Sequence, residues 1–202
     1  MADKFPARLI LASQSAARQA LLRGAQVEFA ALPADLDERA IEQSSRLGDA
    51  SAVATLLAKE KALHVARAHP DAYVIGADQT LALGPRIFSK ADDRAQAREQ
   101  LNALSGQTHE LHSAVAVTKG EKVLFEYVST ARMTMRPLSD AQLEAYLDLA
   151  GNAVTASVGG YQLEGAGVHL FEKIEGDYFT ILGLPLLPLL NFLRGLGLAP
   201  LP

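Results

Sequence analysis

Apolar runs and alternations mark strands at Leu9 to Ala12, Tyr73 to Ala77, Leu111 to Val117, Val123 to Met135 and Tyr178 to Leu182. Helical spacing fills the intervals. One helix runs from about Ala16 to Arg23 and stops at Gly24, a residue suited to the position just past a helix end. A second begins after Ser51 and continues through Val53, Leu56, Leu57 and Leu63 until His69-Pro70, where the proline ends it. A third starts near Asp92-Asp93 and ends at Leu104-Ser105-Gly106. The stretch SDAQLEAYLDLAG is capped by Ser139 and closed by Gly151, and a last helix follows Pro185 as far as Arg194-Gly195. Strands interleaved with helices predict an α/β fold. The adjacent strand patterns 111–117 and 123–135, joined at Lys119-Gly120, predict a hairpin and so a mixed β-sheet. No linker or repeat interrupts the pattern, and residues 1–202 read as a single domain.

Composition narrows the function classes. With 19 Lys+Arg against 23 Asp+Glu the formal net charge is −4, which argues against a binder of nucleic acid polymers with a basic face. Any phosphate chemistry must use a few local cations. The chain has no cysteine, so disulfides, thiolate nucleophiles and zinc-thiolate sites are excluded, and a cytoplasmic setting fits. The most apolar segment, Ile181 to Leu190, carries Pro185 and Pro188 and is too short to span a membrane. The opening MADKFPARLILAS lacks the apolar core of a signal peptide.

Against that background a few residues carry chemistry. In RLILASQSAARQALL, Ser13 and Ser15 stand at the start of the first helix and Arg18 in its first turn. Serines here cap helices, and the same exposed N–H groups attract anions, so the two readings stand side by side. Asp78 ends the apolar run AYVIGAD, at the strand end where open α/β sheets place ligands; the plainer reading is a turn or cap aspartate. Gly76 leaves room for a ligand or another backbone to come close. Glu38 closes the cluster Asp35-Leu36-Asp37-Glu38, either offsetting a helix dipole or, with a second carboxylate, holding a hard divalent cation. Lys61 and Lys90 are the other cations that stand out by position. On the helix after Ser51 the residue nearest the centre of the apolar face is Glu60, with Lys61 to one side. The five histidines show no metal spacing; His109 and His112 fall on opposite faces of one strand and read as non-catalytic.

Taken in order, LILASQSAARQALL, the acids ending in Glu38, AKEKA around Lys61, VIGADQT, IFSKADD, LNALSGQTHEL and VGGYQLEGAGVHLFEKIEGDYFTILGLPL resemble the Maf family of nucleoside triphosphate pyrophosphatases. The resemblance spans roughly Leu9 to Leu196. It implies a central mixed sheet flanked by helices, two lobes with a cleft, akin to the inosine triphosphatase fold, and a homodimer. It also implies hydrolysis of a nucleoside triphosphate to monophosphate and pyrophosphate with magnesium, manganese or cobalt. Carried over, Ser13, Ser15 and Arg18 match the triphosphate-binding helix start and Asp78 the proton acceptor. Lys61, Lys90 and Glu38 match the other polar site residues, with Asp78 and Glu38 as the metal pair.

The chain departs from the family's usual Ser-x-Ser-Pro-Arg-Arg opening at Ala16 and Ala17, keeping the second arginine as Arg18. Ala17, with Gln79 after the aspartate and Glu164 in YQLEG, points away from the branch that prefers dTTP and UTP. An ionised Glu164 only accepts hydrogen bonds, which suits the donors of a guanine edge and a cationic base such as 7-methylguanine. The alternative is a catalytically weak nucleotide-binding regulator linked to cell division, which the two alanines favour. A dinucleotide enzyme is disfavoured because no G-x-G-x-x-G follows the first strand.

Overall fold

The computed structural model describes residues 9–201. The opening segment, on which the targeting reading rests, lies largely outside them at residues 1–8. In chain order the elements are β1 (Leu9–Leu11), α1 (Ala16–Gly24), β2 (Ala30–Ala31), α2 (Glu38–Ser45), α3 (Ala50–Ala68), β3 (Tyr73–Leu83) and β4 (Arg86–Phe88). Then follow α4 (Arg94–Leu104), β5 (Thr108–Lys119), β6 (Lys122–Met135), α5 (Asp140–Ala150), β7 (Phe171–Glu175), α6 (Tyr178–Ile181) and α7 (Leu186–Gly195). Two short 3-10 turns, Gly151–Thr155 and Ala166–Leu170, lie between α5 and β7. The strands form one sheet in the order β2-β1-β3-β5-β6-β7, with β4 on β3. It is mixed: β1 runs parallel to β2 and β3, whereas β3–β4 and β6–β7 are antiparallel.

The chain divides into two compact units. The first takes residues up to Gln79, Ser113–Ser129 and Gly183 onward. Its core joins Ile10 and Val74 on parallel neighbours to an alanine-rich face of α3 made by Ala54, Ala58, Ala62 and Ala66. Small residues there let the helix come close to the strand. At Gly76 the approach is extreme, because a Cβ would fall 2.0 Å from the Ala58 carbonyl oxygen and 2.6 Å from the Ala62 nitrogen. The backbone expected to approach Gly76 is therefore α3. The second unit, Thr80–His112 with Thr130–Leu182, has a larger-residue core around Leu101, Leu104, Met133, Leu143 and Leu147.

Several boundaries follow the expected chemistry. Ser139 makes a reciprocal capping box with Gln142 on α5, and Asp93 caps α4 by accepting from Gln96 N–H. Others differ. The strand expected at Tyr178 to Leu182 is the helix α6, because Asp177 accepts from the Thr180 N–H and starts a turn. A short apolar run does not by itself distinguish the two states. Gly24 lies inside α1, and the left-handed residue after it is Gln26. α3 begins at Ala50 and not after Ser51: its cap is Asp49, which also accepts from the Ser51 hydroxyl. β3 runs past Ala77 to Leu83, because Arg86–Phe88 pairs back onto it, and β7 is a half-charged strand held by pairing with β6. Among the described residues no helix is long and apolar enough to cross a membrane.

Two predictions follow from the packing. Gly76→Ala forces α3 off β3 and should lower stability by about 3 kcal/mol, the upper range for overpacking, read by urea unfolding. An unchanged midpoint would contradict the close approach. His109 is fully buried on β5, and burial holds its imidazole pKa down to about 4, from 6.5. The unfolded chain therefore takes up a proton first as pH falls. The contribution is complete above pH 6.5 and is lost progressively towards pH 4, worth up to about 3 kcal/mol over that window. Unfolding curves at pH 7 and pH 5 should show that component in the native protein and lack it in His109→Gln.

Candidate active site

β1 and β3 are parallel neighbours with Leu11 beside Ile75, and β1 ends there while β3 runs on through Ala77, Asp78 and Gln79 to Leu83, beside the turn Ser13 to Arg18 that Arg18 ties to Ala77. Asp78 therefore lies in the middle of β3, not at the strand end expected from the sequence, just past the point where β1 stops beside it, and it is buried, at 7% exposure. Lys61 of α3 meets it there. The Lys61 ammonium donates to Asp78 Oδ1 at 2.6 Å and lies 2.9 Å from Glu38 Oε2. Burial pushes the Asp78 carboxyl pKa up, and the charges of Lys61 and Arg18 oppose that rise. A carboxylate held against its desolvation in this way is a basic one.

The position of Lys61 corrects the expectation that Glu60 centres the apolar face of α3. The buried residues are Ala50, Val53, Ala54, Leu57, Ala58, Lys61, Ala62, Val65 and Ala66, which put Lys61 well inside the face and leave Glu60 half-buried. Leu56 and Leu63, which drew the face toward Glu60, are themselves only half-buried. Alanine, which adds little to a hydrophobicity pattern, marks where α3 touches the sheet.

The two readings of the acid cluster divide between neighbours. Asp37 caps α2, accepting from the Ala40 N–H at 3.0 Å, while Glu38 in the first turn reaches Lys61. One helical turn on, Glu42 is half-buried, and its carboxyl pKa is pushed up by burial and by the nearby negative charges of Asp78 and Glu38. Sequence reasoning passed over Glu42, although its spacing of four from Glu38 was the available signal.

The helix start at Ser13 to Arg18 is built largely from contacts within the chain. Ser15 caps α1 and accepts from the Arg18 N–H, and the buried Ser13 hydroxyl accepts from the Ser15 N–H and from Arg18 Nη1. Arg18 Nε donates to the Gly183 carbonyl at 2.7 Å, and Nη1 to the carbonyl of Ala77, next to Asp78, at 2.9 Å. The guanidinium thus ties α1, the middle of β3 and the approach to α7 together, and it adds positive charge near Asp78. Ala17 is half-buried in the same turn. Gln79 donates to the Ser113 hydroxyl of β5 at 2.9 Å.

Lys90 and Glu164 belong to the second unit and are exposed. Lys90 forms an isolated antiparallel bridge with Val158, and the Ser89 carbonyl before it accepts from Gln100 Nε2 at 2.9 Å. Glu164 lies on the stretch between Tyr161 and the 3-10 turn Ala166–Leu170. The histidines read as non-catalytic have local partners: His112 Nδ1 meets Thr130 Oγ1, and His109 Nε2 meets the Tyr161 hydroxyl.

Asp78 and Glu38 are hard oxygen donors that converge on one ammonium. Among the described residues no group of three or more His, Cys, Asp or Glu is disposed to hold a metal ion. Two carboxylates nevertheless fit a magnesium-like ion, which commonly takes one or two from protein and the rest of its shell from water and substrate phosphates.

This chain belongs to the Maf-like protein family, whose profile matches residues 8–196. It is 63% identical over 186 residues to a "Nucleoside triphosphate pyrophosphatase" of Bradyrhizobium diazoefficiens, covering 92% of each chain. A relative of the same name from Rhodopseudomonas palustris strain HaA2 is 60% identical over 94% of each chain. A "7-methyl-GTP pyrophosphatase" of Rhizobium meliloti is 52% identical, over 94% of this chain and 96% of that one. The solved structure of a HAM1 protein from Coxiella burnetii aligns with 63% of this chain and 72% of that one, at a TM-score of 0.38 and 17% identity. The fold assignment rests on the strand order itself.

The buried pair makes a stability prediction. Lys61→Met should destabilise by about 3 kcal/mol because it strips Asp78 of its ammonium, whereas the double variant Lys61→Met/Asp78→Leu should be as stable as the parent or more so. Thermal unfolding of the three proteins checks this. A double variant weaker than the single one would mean that the pair is there for stability.

Proposed function

We propose that this protein is a nucleoside triphosphate pyrophosphatase, hydrolysing the bond between the α and β phosphates to give a monophosphate and pyrophosphate. The observation that carries the reading is the buried Lys61–Asp78 pair with Glu38 on its rim, on β3 just past its pairing with β1 and tied through Arg18 to a serine-capped helix start. A stability role alone gives little reason for such a pair, since buried ion pairs seldom outperform apolar packing. The names of the relatives support the same activity.

In this reading the triphosphate lies against the start of α1, where free N–H groups and the helix dipole favour anions. Ser13 and Ser15 shape that turn, and Arg18 holds it against Ala77, so the helix start and Asp78 keep a fixed spacing. Lys61 engages Asp78 through Oδ1, and Oδ2 is the oxygen that takes the proton from water. The water oxygen bonds to the α phosphorus, the bond to the bridging oxygen breaks, and pyrophosphate leaves with that electron pair. Lys61 and Lys90 offset the charge of the phosphates. Asp78 and Glu38 are the residues that would hold magnesium, manganese or cobalt. When bound, such an ion supplies charge neutralisation and a more acidic water.

Glu164 is assigned to the base. Its exposed carboxylate accepts the N–H donors of guanine, and its charge favours 7-methylguanine, in keeping with the name of the Rhizobium meliloti relative. Ala17 and Gln79 are the other positions through which the family's branches differ in base. The homodimer implied by the resemblance and a cytoplasmic location, which the lack of cysteine fits, belong to the same proposal.

Purified protein with magnesium or manganese should release pyrophosphate from guanine-type triphosphates within a panel of standard and modified nucleotides. Asp78→Asn should lose at least roughly 10²-fold, the lower range for a general base, while keeping its fold. In Glu164→Gln the preference should shift towards uracil and thymine substrates. Tight nucleotide binding without any turnover would instead favour the regulatory alternative.

A further inference from the structure

In the second unit, residues 157–165 form a segment with little ladder support: its backbone pairing to a strand-like neighbour is the single bridge of Val158 with Lys90. It turns through Gly159 and Gly160, both with positive φ, and a Cβ on Gly159 would come within 2.5 Å of Leu81 Cδ1. Such a segment needs side chains to hold it. Tyr146 donates its hydroxyl to the Gly160 carbonyl at 3.0 Å, and the Ser157 hydroxyl donates to the Tyr161 carbonyl at 2.6 Å. The Tyr161 hydroxyl then reaches into the core and meets His109 Nε2 at 2.6 Å.

His109 is an expensive way to fill that space. It is fully buried, packed near the rings of Tyr161 and Phe171, and its Nδ1 has no hydrogen-bond partner among the described residues. A leucine would fill the site without an orphaned polar atom. What the imidazole adds is a fixed polar point on β5 for the Tyr161 hydroxyl. Glu164 follows Tyr161 by three residues, and Ser157 and Val158 precede it, so the same anchor fixes both ends of the segment.

We infer that His109 and Tyr161 are positioning residues whose buried hydrogen bond sets the place of segment 157–165 and, through it, the base discrimination exercised at Glu164. The inference rests on the base-reading role given to Glu164 above. Neither residue needs to touch substrate.

The test compares Tyr161→Phe, His109→Leu, His109→Gln and Glu164→Gln, using amide hydrogen exchange across 157–165 and the ratio of kcat/KM for GTP over UTP. Tyr161→Phe keeps the ring that meets Phe171 edge-on and loses only the hydroxyl. It should raise exchange across 157–165 by about tenfold, the factor one ordinary hydrogen bond controls. The GTP/UTP ratio should narrow several-fold, mainly through KM for GTP. His109→Leu should do the same, adding Tyr161→Phe to it should cost little more, and His109→Gln, whose amide can meet the hydroxyl, should recover part of the ratio. If Tyr161→Phe lowers only the melting temperature while exchange and ratio stay as in the parent, the positioning role is overturned. Glu164→Gln separates the two readings. A ratio that moves with Glu164→Gln but not with Tyr161→Phe rejects the clamp alone. A ratio that moves with Tyr161→Phe but not with Glu164→Gln keeps the clamp and rejects Glu164 as the reader.

Discussion

The close approach of α3 to β3 at Gly76 is the constraint on which the first unit depends. With a helix backbone where a side chain would otherwise stand, and alanines on either side, the helix lies near enough for Lys61 to end on Asp78. A larger residue at Ala58, Ala62 or Gly76 would lift the helix and separate the charges. Glu38 of α2 and the Arg18 tie to Ala77 then complete the electrostatic surroundings of a carboxylate that burial alone would neutralise. Packing by small residues is thus the cause, and a basic, oriented carboxylate the consequence.

The same logic separates residues that make the site from residues that hold it. Arg18 reads from the sequence as a cation for phosphate, yet two of its nitrogens donate to main-chain carbonyls. Its larger task in the protein as folded is to fix the start of α1 against β3 at Ala77. In the second unit Gln100 and Tyr146 hold carbonyls beside Lys90 and within the segment of Glu164. Buried polar side chains that brace loops recur across the chain, and rigid support of this kind keeps reactive groups in register.

Much of this was legible in the sequence. Strong periodicity and ordinary caps gave α4, α5 and α7 almost to the residue, and Lys119-Gly120 marked the turn between β5 and β6. Asp78 was legible because a charge after an apolar run needs a reason, although the strand does not end there and runs on to Leu83. The short strands β2, β4 and β7 were not, since two to five residues become strands by pairing with distant neighbours and carry little pattern of their own. The helix α6 was hidden for a related reason: one capping aspartate outweighed the strand preference of Tyr178 and Phe179. Lys61 was ambiguous because the alanines that face the sheet look neutral in a hydrophobicity pattern. Glu42 and the His109–Tyr161 contact depend on proximity that no local spacing fully encodes.

The account's central claim is that water attacks the α phosphorus under the control of Asp78. Turnover in water enriched in heavy oxygen, followed by mass analysis of both products, tests it most directly. The label should appear in the nucleoside monophosphate and be absent from pyrophosphate. Label in pyrophosphate would place the attack on the β phosphorus, and release of single phosphate would place the cleavage elsewhere; either result would contradict the account.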